Sequence, residues 1–313
     1  DFYKWRDGFE DWVRANQPDK EAVFRAEWRQ AWQRIVDRVQ NFEVPLVELP
    51  RVAEDDADAM GRVCAIFEKL NSTGVDLSVY DLLTARLYRS KIALHQLWDE
   101  ACENNPLLAE WSGGKADTNK FGVLVLRTLA LLRDLDPKPK MLISLNPAGF
   151  ENDWRRAARA MNRALEIVTA IHDDGMGVFH RDWLPNFGLL PVLAALRALI
   201  EERNLGESAR RQVRQWYWCS VFLERFSSAV ESKSRKDYSD FHRHWFDGGP
   251  APAIFEDARR IASAEFSIRS ATSNASGIYC AVFCLLAKQG ARDWQRGEHI
   301  ELLNLDRKSV VSG

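Results

Sequence analysis

Three sets of residues in this sequence have types and spacings that chemistry can use. The turn Asn71-Ser72-Thr73-Gly74 offers side-chain donors and free amides beside a helix start, which suits a phosphate. Its structural alternative is a helix stop, in which Asn71 caps the preceding helix and Gly74 supplies a left-handed residue. Arg210, Arg211 and Arg214 sit on one helical stretch, and Lys233, Arg235 and Lys236 follow in a polar segment read as a loop. Such a set can meet DNA phosphates by charge and reach. The alternative is a solvated face balanced by Glu201, Glu202, Glu207 and Glu231. The third set is His242 and His244, with Asp240 and Asp247 near. On a helix that spacing turns the rings to different faces, and no third ligand is suitably spaced, so no metal is assigned.

Other polar groups carry less. Glu54-Asp55-Asp56-Ala57-Asp58 favours the dipole at a helix start, and nothing nearby completes a metal site. His95, His172 and His180 stand alone. No Gly-x4-Gly-Lys-Ser/Thr loop occurs. No nucleophile–base set can be picked out along the chain, so no catalytic residue is assigned.

The elements that must position these groups are mostly helical. Phe24, Trp28, Ala31, Ile35 and Val39 form one stripe within residues 1–40. Residues 42–49 alternate imperfectly and are the best strand candidate, with Pro45 placing them at an edge. Met60, Val63, Cys64, Phe67 and Leu70 line a helix face before the Asn-Gly turn, and Ser78 and Asp81 have capping-box spacing after it. The next helix is expected to run on through Leu87, Tyr88, Ile92 and Trp98. Phe121–Leu132 and Leu189–Ile200 are apolar nearly all round and should lie at the centre. Phe150–His172 is amphipathic, with Arg155, Arg156, Arg159 and Arg163 on its polar side, and Arg210–Phe226 reads as one long aromatic helix. The fold class expected is therefore mostly α, a multi-helix bundle with one or two short strands at most.

The chain has 313 residues, 46% hydrophobic and 28% charged, with a formal net charge of −2. That balance excludes a global basic field for nucleic acid but permits a local patch. Twelve tryptophans, most at helical spacing, are expected to fill core and grooves. Five cysteines without a CxxC fit a reducing, cytoplasmic setting, with Cys280 and Cys284 as a buried reduced pair. The longest apolar runs fall short of the ~20 residues of a membrane span, so no membrane partner is expected.

Phe67-x-x-Leu70-Asn71-x-x-Gly74-x-x-Leu77-Ser78-x-x-Asp81-Leu82 resembles the signature near the end of the N-terminal domain in the GmrSD-type restriction endonuclease family. Two further blocks resemble that family's helical middle. One is Trp216-Tyr217-Trp218 … Arg225-Phe226-Ser227 … Glu231-Ser232-Lys233 … Lys236-Asp237, and the other is Gly290-Ala291-Arg292-Asp293-Trp294 … Gly297 … Ile300. Such proteins carry a ParB-like N-terminal domain, a helical middle and often an HNH nuclease domain. By resemblance, Asn71 and Gly74 hold a nucleotide phosphate. The family's Asp-Gly-Gln-Gln-Arg nucleotide motif is absent, and no histidine follows His299 to build an HNH centre. The resemblance thus implies a fragment that is not catalytic by itself, from a parent that is a DNA endonuclease and NTPase. Its parts would be 1–110 from the ParB-like domain, 111–306 as helical middle and 307–313 as a ragged tail. Cofactors, a nucleotide and a divalent metal, belong to the parent, and the partners are DNA and the parent's other domains. The alternative is a non-catalytic helical scaffold that binds protein.

Overall fold

The computed structural model describes residues 2–43, 78–113, 118–171, 174–263, 276–290, 292 and 295–298. Among these the fold is mostly helical, as the periodicity predicts, and contains no strand. The expected strand over 42–49 and the turn with Asn71 and Gly74 lie outside the described residues, except that Phe42 and Glu43 are exposed and irregular. The chain divides into two compact units, Asp1–Leu70 and Asn71–Gly313. That division falls before the 110/111 position read from the sequence. The helices between 78 and 111 share the second unit's core.

In the first unit, α1 (Phe2–Asn16) is followed by a short turn and a continuous helical run. The run comprises α2 (Glu21–Val23), a π-type turn (Phe24–Trp28) and α3 (Arg29–Gln40). An aromatic cluster joins the two arms: Trp32 lies 5.0 Å from Trp5 and 5.6 Å from Phe9, and Phe24 lies 5.7 Å from Phe9. Glu10, nearly buried, binds Arg25 at 2.9 Å and Arg29 at 3.3 Å. The predicted stripe is corrected here. Phe24 is buried, but Trp28, Ile35 and Val39 are exposed, and Trp32 faces α1 in their place. The π-type turn is the physical reason, because its extra residue per turn shifts the inward face.

The second unit opens with α4 (Val79–Tyr88), started by the expected capping box. The Asp81 amide donates to Ser78 Oγ at 3.2 Å, and the Ser78 amide donates to the Asp81 carboxylate at 3.0 Å. The helix stops at Tyr88 and does not run on to Trp98. Lys91 adopts a left-handed φ of 59°, and the Ile92 amide returns to the Leu87 carbonyl at 3.1 Å. After this come α5 (Leu94–Asn104) and α6 (Pro106–Trp111). Asn162 from a later helix accepts from the Leu107 and Leu108 amides and so caps α6 across the fold.

Three helices make the centre: α7 (Val123–Leu132), α9 (Phe150–Thr169) and α10 (Leu189–Arg203), each packed on the other two. Between α7 and α9 lies the short α8 (Pro139–Ile143). Arg133 binds Asp153 at 2.6 Å and the carbonyls of Asn146 and Ala148, which fixes the proline-bearing connection. Gly122 enters α7 against the Tyr80 ring, where an added Cβ would lie 2.7 Å from ring carbons. Trp154 is fully buried and donates to the Leu97 carbonyl at 3.0 Å.

Around that centre lie α11 (Gly206–Phe222), α12 (Val230–Phe246), α13 (Ile254–Ser263) and α14 (Gly277–Lys288). The long helix expected over Arg210–Phe226 ends at Phe222. Glu224 and Ala229, both left-handed, bracket a 3-10 turn (Arg225–Ser227).

Candidate functional site

Asp237 on α12 is 2% exposed and carries the most deeply buried carboxylate between these outer helices. It accepts from Trp216 Nε1 of α11 at 2.9 Å and from Arg225 Nε at 2.8 Å, and the other arm of Arg225 closes the fork. Burial pulls the Arg225 guanidinium down, but the hydrogen bonds and charge of Asp237 outweigh it and hold the group above its ordinary value. Geometry of this kind compensates a buried charge and fixes the turn between α11 and α12. Lower down the same pair of helices, Trp245 donates to Gln212 at 2.8 Å.

The six basic residues read as a DNA-facing set are dispersed by their partners. Arg210 is exposed and pairs loosely with Glu207 at 3.6 Å, and Arg211 is exposed. Arg214 pairs with Asp174 in the segment after α9. Lys233, Arg235 and Lys236 lie on α12, not in the loop expected for them. Lys233 reaches Ser228 at 3.4 Å, Arg235 reaches Asp134 at 2.7 Å and Lys236 reaches Asp240 at 2.5 Å. Arg210 and Arg211, on the first turns of α11, and Lys236 on α12 are the exposed members of the set.

His242 and His244 diverge as the helical spacing requires. His242 packs on Phe246 with ring centroids 4.8 Å apart, whereas His244 Nδ1 lies 3.0 Å from the Gly249 carbonyl. Among the described residues no group of three or more His, Cys, Asp or Glu is placed to hold a metal ion. Cys280 and Cys284 are buried thiols on α14. Burial pushes both up, and Cys284 reaches about 12. Tyr217 faces them, and burial raises its phenol well above the ordinary value.

Among the described residues of the second unit, several clefts bear polar side chains. One of about 410 Å³ lies between α5 and α9 and carries Asn104, Arg155 and Arg159. Another of about 200 Å³ lies beside Lys236, Asp240 and Arg243. The third, also about 200 Å³, lies at the start of α14, where Ser220, Glu224 and Gly277 meet. Sequence reasoning missed this third group. Ser220 sits inside an aromatic helix, and Glu224 and Gly277 are far apart along the chain. The helix start at Gly277 could have been anticipated from the polar-to-apolar switch in the sequence at Ser276, but its neighbours could not.

No family model matches the chain. It is similar to an uncharacterised protein, MJ0686, of Methanocaldococcus jannaschii, at 28% identity over 271 residues. The alignment covers 86% of this chain and 45% of the relative, so the chain spans about half the length of the protein it matches. No solved structure matches.

Proposed function

We propose that this chain is the helical part of a longer, GmrSD-like, modification-dependent restriction endonuclease acting in anti-phage DNA defence. In that role it is a non-catalytic helical region that links a nucleotide-binding domain to an HNH nuclease. The observation that carries the reading is the network of Trp216, Arg225 and Asp237. These three residues lie far apart in the block that resembles the family's helical middle, and they converge on one buried ion pair. The visible end of the other resembling block, Ser78 and Asp81, forms a working helix start. DNA contact in this reading falls to Arg210, Arg211 and Lys236, the exposed members of the basic set.

The test is plating efficiency in a phage-sensitive host that expresses the coding region with its flanking sequence. Phages with modified DNA should plate at least tenfold worse than phages with unmodified DNA. Equal plating of both would overturn the reading. A scaffold that binds protein is the second reading, favoured by the partnering of Arg214, Arg235 and Lys236 within the chain. Recovery of a protein partner without DNA, together with equal plating, would make it the leading one.

A further inference from the structure

The cleft between α5 and α9 has parts that neither the helix packing nor the DNA contact uses. Ala101 and Ala158, both buried, line it from the two helices, and side chains this small leave the space between them open. Its volume of about 410 Å³ lies within the ~300–1,000 Å³ common for small-molecule sites.

Asn104 and Asn105 close α5 in a way that fixes what they show the cleft. Their side-chain nitrogens donate to the Glu100 and Ala101 carbonyls at 2.7 and 2.8 Å. A carboxamide has one nitrogen and one oxygen, so these bonds set the orientation and leave each oxygen as an acceptor. Asn105 is the sharper observation. It is 5% exposed and lines the cleft, and its Oδ1 accepts nothing among the described residues yet is not sealed from solvent. A nearly buried acceptor without a donor costs free energy, and here open space lies beside it.

The α9 wall is cationic. Arg155 and Arg159 stand one turn apart, so their side chains share a face. Arg155 reaches Glu100 at 3.3 Å and Glu151 at 3.9 Å through Nη2 alone. Arg159 is exposed and makes no ion pair or hydrogen bond among the described residues. The lining thus sets two guanidiniums against one carboxylate, Glu100, and favours an anion. Forked donors from two arginines suit the several oxygens of a phosphate. At the end of α5, the amide oxygens and the negative end of the helix dipole call for donors instead. Among the described residues no aromatic or large aliphatic side chain lines the cleft, so nothing there stacks a nucleobase, whereas amide oxygens and a carboxylate suit hydroxyls. We propose that this cleft binds a sugar phosphate. The phosphate takes Arg155 and Arg159, and the sugar hydroxyls take Asn104, Asn105 and Glu100.

Calorimetric titration of the full chain with glucose 6-phosphate and ribose 5-phosphate tests this, with glucose, inorganic phosphate and AMP for comparison. At least one sugar phosphate should bind, and each comparison compound should bind at least tenfold more weakly. Arg159→Ala should weaken the sugar phosphate at least tenfold, and Arg155→Ala several-fold. Arg163→Ala removes the same charge one turn further along α9, outside the lining, and should change nothing. All three side chains are exposed, so the melting temperature should stay where it was and a lost contact is separated from a lost fold. No binding of either sugar phosphate at millimolar concentration would overturn the proposal. So would affinity unchanged in the Arg155 and Arg159 variants, an equal loss in Arg163→Ala, or AMP binding tighter than both sugar phosphates.

Discussion

The two units use the same residue type in opposite ways. In the first, Trp5, Trp12 and Trp28 are all at least 43% exposed, and in the second Trp98, Trp111, Trp154 and Trp216 are buried. The difference follows from layering. The described part of the first unit is a pair of helical arms, and each arm can bury only the face it turns to the other. The second unit surrounds α7 and α10 with other helices, so nearly every side chain of those two meets protein. A tryptophan is thus worth what its layer makes of it, and its place in an amphipathic pattern does not settle that worth.

The largest test of this contrast is Trp154→Ala. The ring is fully buried, lies 6.2 Å from Phe150 and 6.4 Å from Trp98, and donates to a backbone carbonyl. Removing it should cost about 3–5 kcal/mol, read from the urea midpoint of the chain. A loss below about 1 kcal/mol would mean that the central packing is not what holds this unit together.

Smaller, and confined to the second unit, is the alkaline limit. Burial raises the Cys284 thiol from 9.0 to about 12, so the folded chain holds a proton that the unfolded chain releases. The stabilisation is complete below about pH 9 and is lost progressively as pH rises towards 12. Cys280 and Cys219 are shifted in the same direction by burial. At pH 10 the loss attributable to Cys284 should be about 1 kcal/mol. Cys284→Ala should flatten the fall in urea midpoint between pH 8 and 10, and an unchanged slope would remove Cys284 as its source. The described stretch 2–43 contains no cysteine and should not contribute.

What was legible in the sequence follows the same division. Phe121–Leu132 and Leu189–Ile200 announced themselves as central because they are apolar on every side, and a helix like that has no solvent face to spare. The Ser78–Asp81 cap was legible because both partners lie within one turn. The breaks at Lys91, Glu224 and Ala229 were not, because each is a left-handed residue without the glycine that normally marks one. The face shift at Phe24–Trp28 escaped a reading that assumes 3.6 residues per turn. The Arg225–Asp237 pair and the Ser220–Glu224–Gly277 cleft depend on distant segments meeting, which local spacing does not encode. The same holds for the basic set, whose charges looked available until Asp134 and Asp174 arrived from elsewhere.

The smallest effect belongs to Trp28→Ala, and it bears most directly on the comparison. Trp28 touches Phe24 edge-on at 6.1 Å and is otherwise 43% exposed on the outer side of its arm. Truncation should remove one aromatic contact and part of an apolar surface, a loss below about 1 kcal/mol. Measured beside Trp154→Ala in the same urea series, it should leave the midpoint nearly unmoved. A loss comparable to that of Trp154 would mean that the outer face of this arm is covered in the folded chain. The contrast between the units would then be one of visible layers and not of buried area. A small loss would place Trp28, Ile35 and Val39 on a surface that contributes little to folding and whose side chains can change without unfolding the chain.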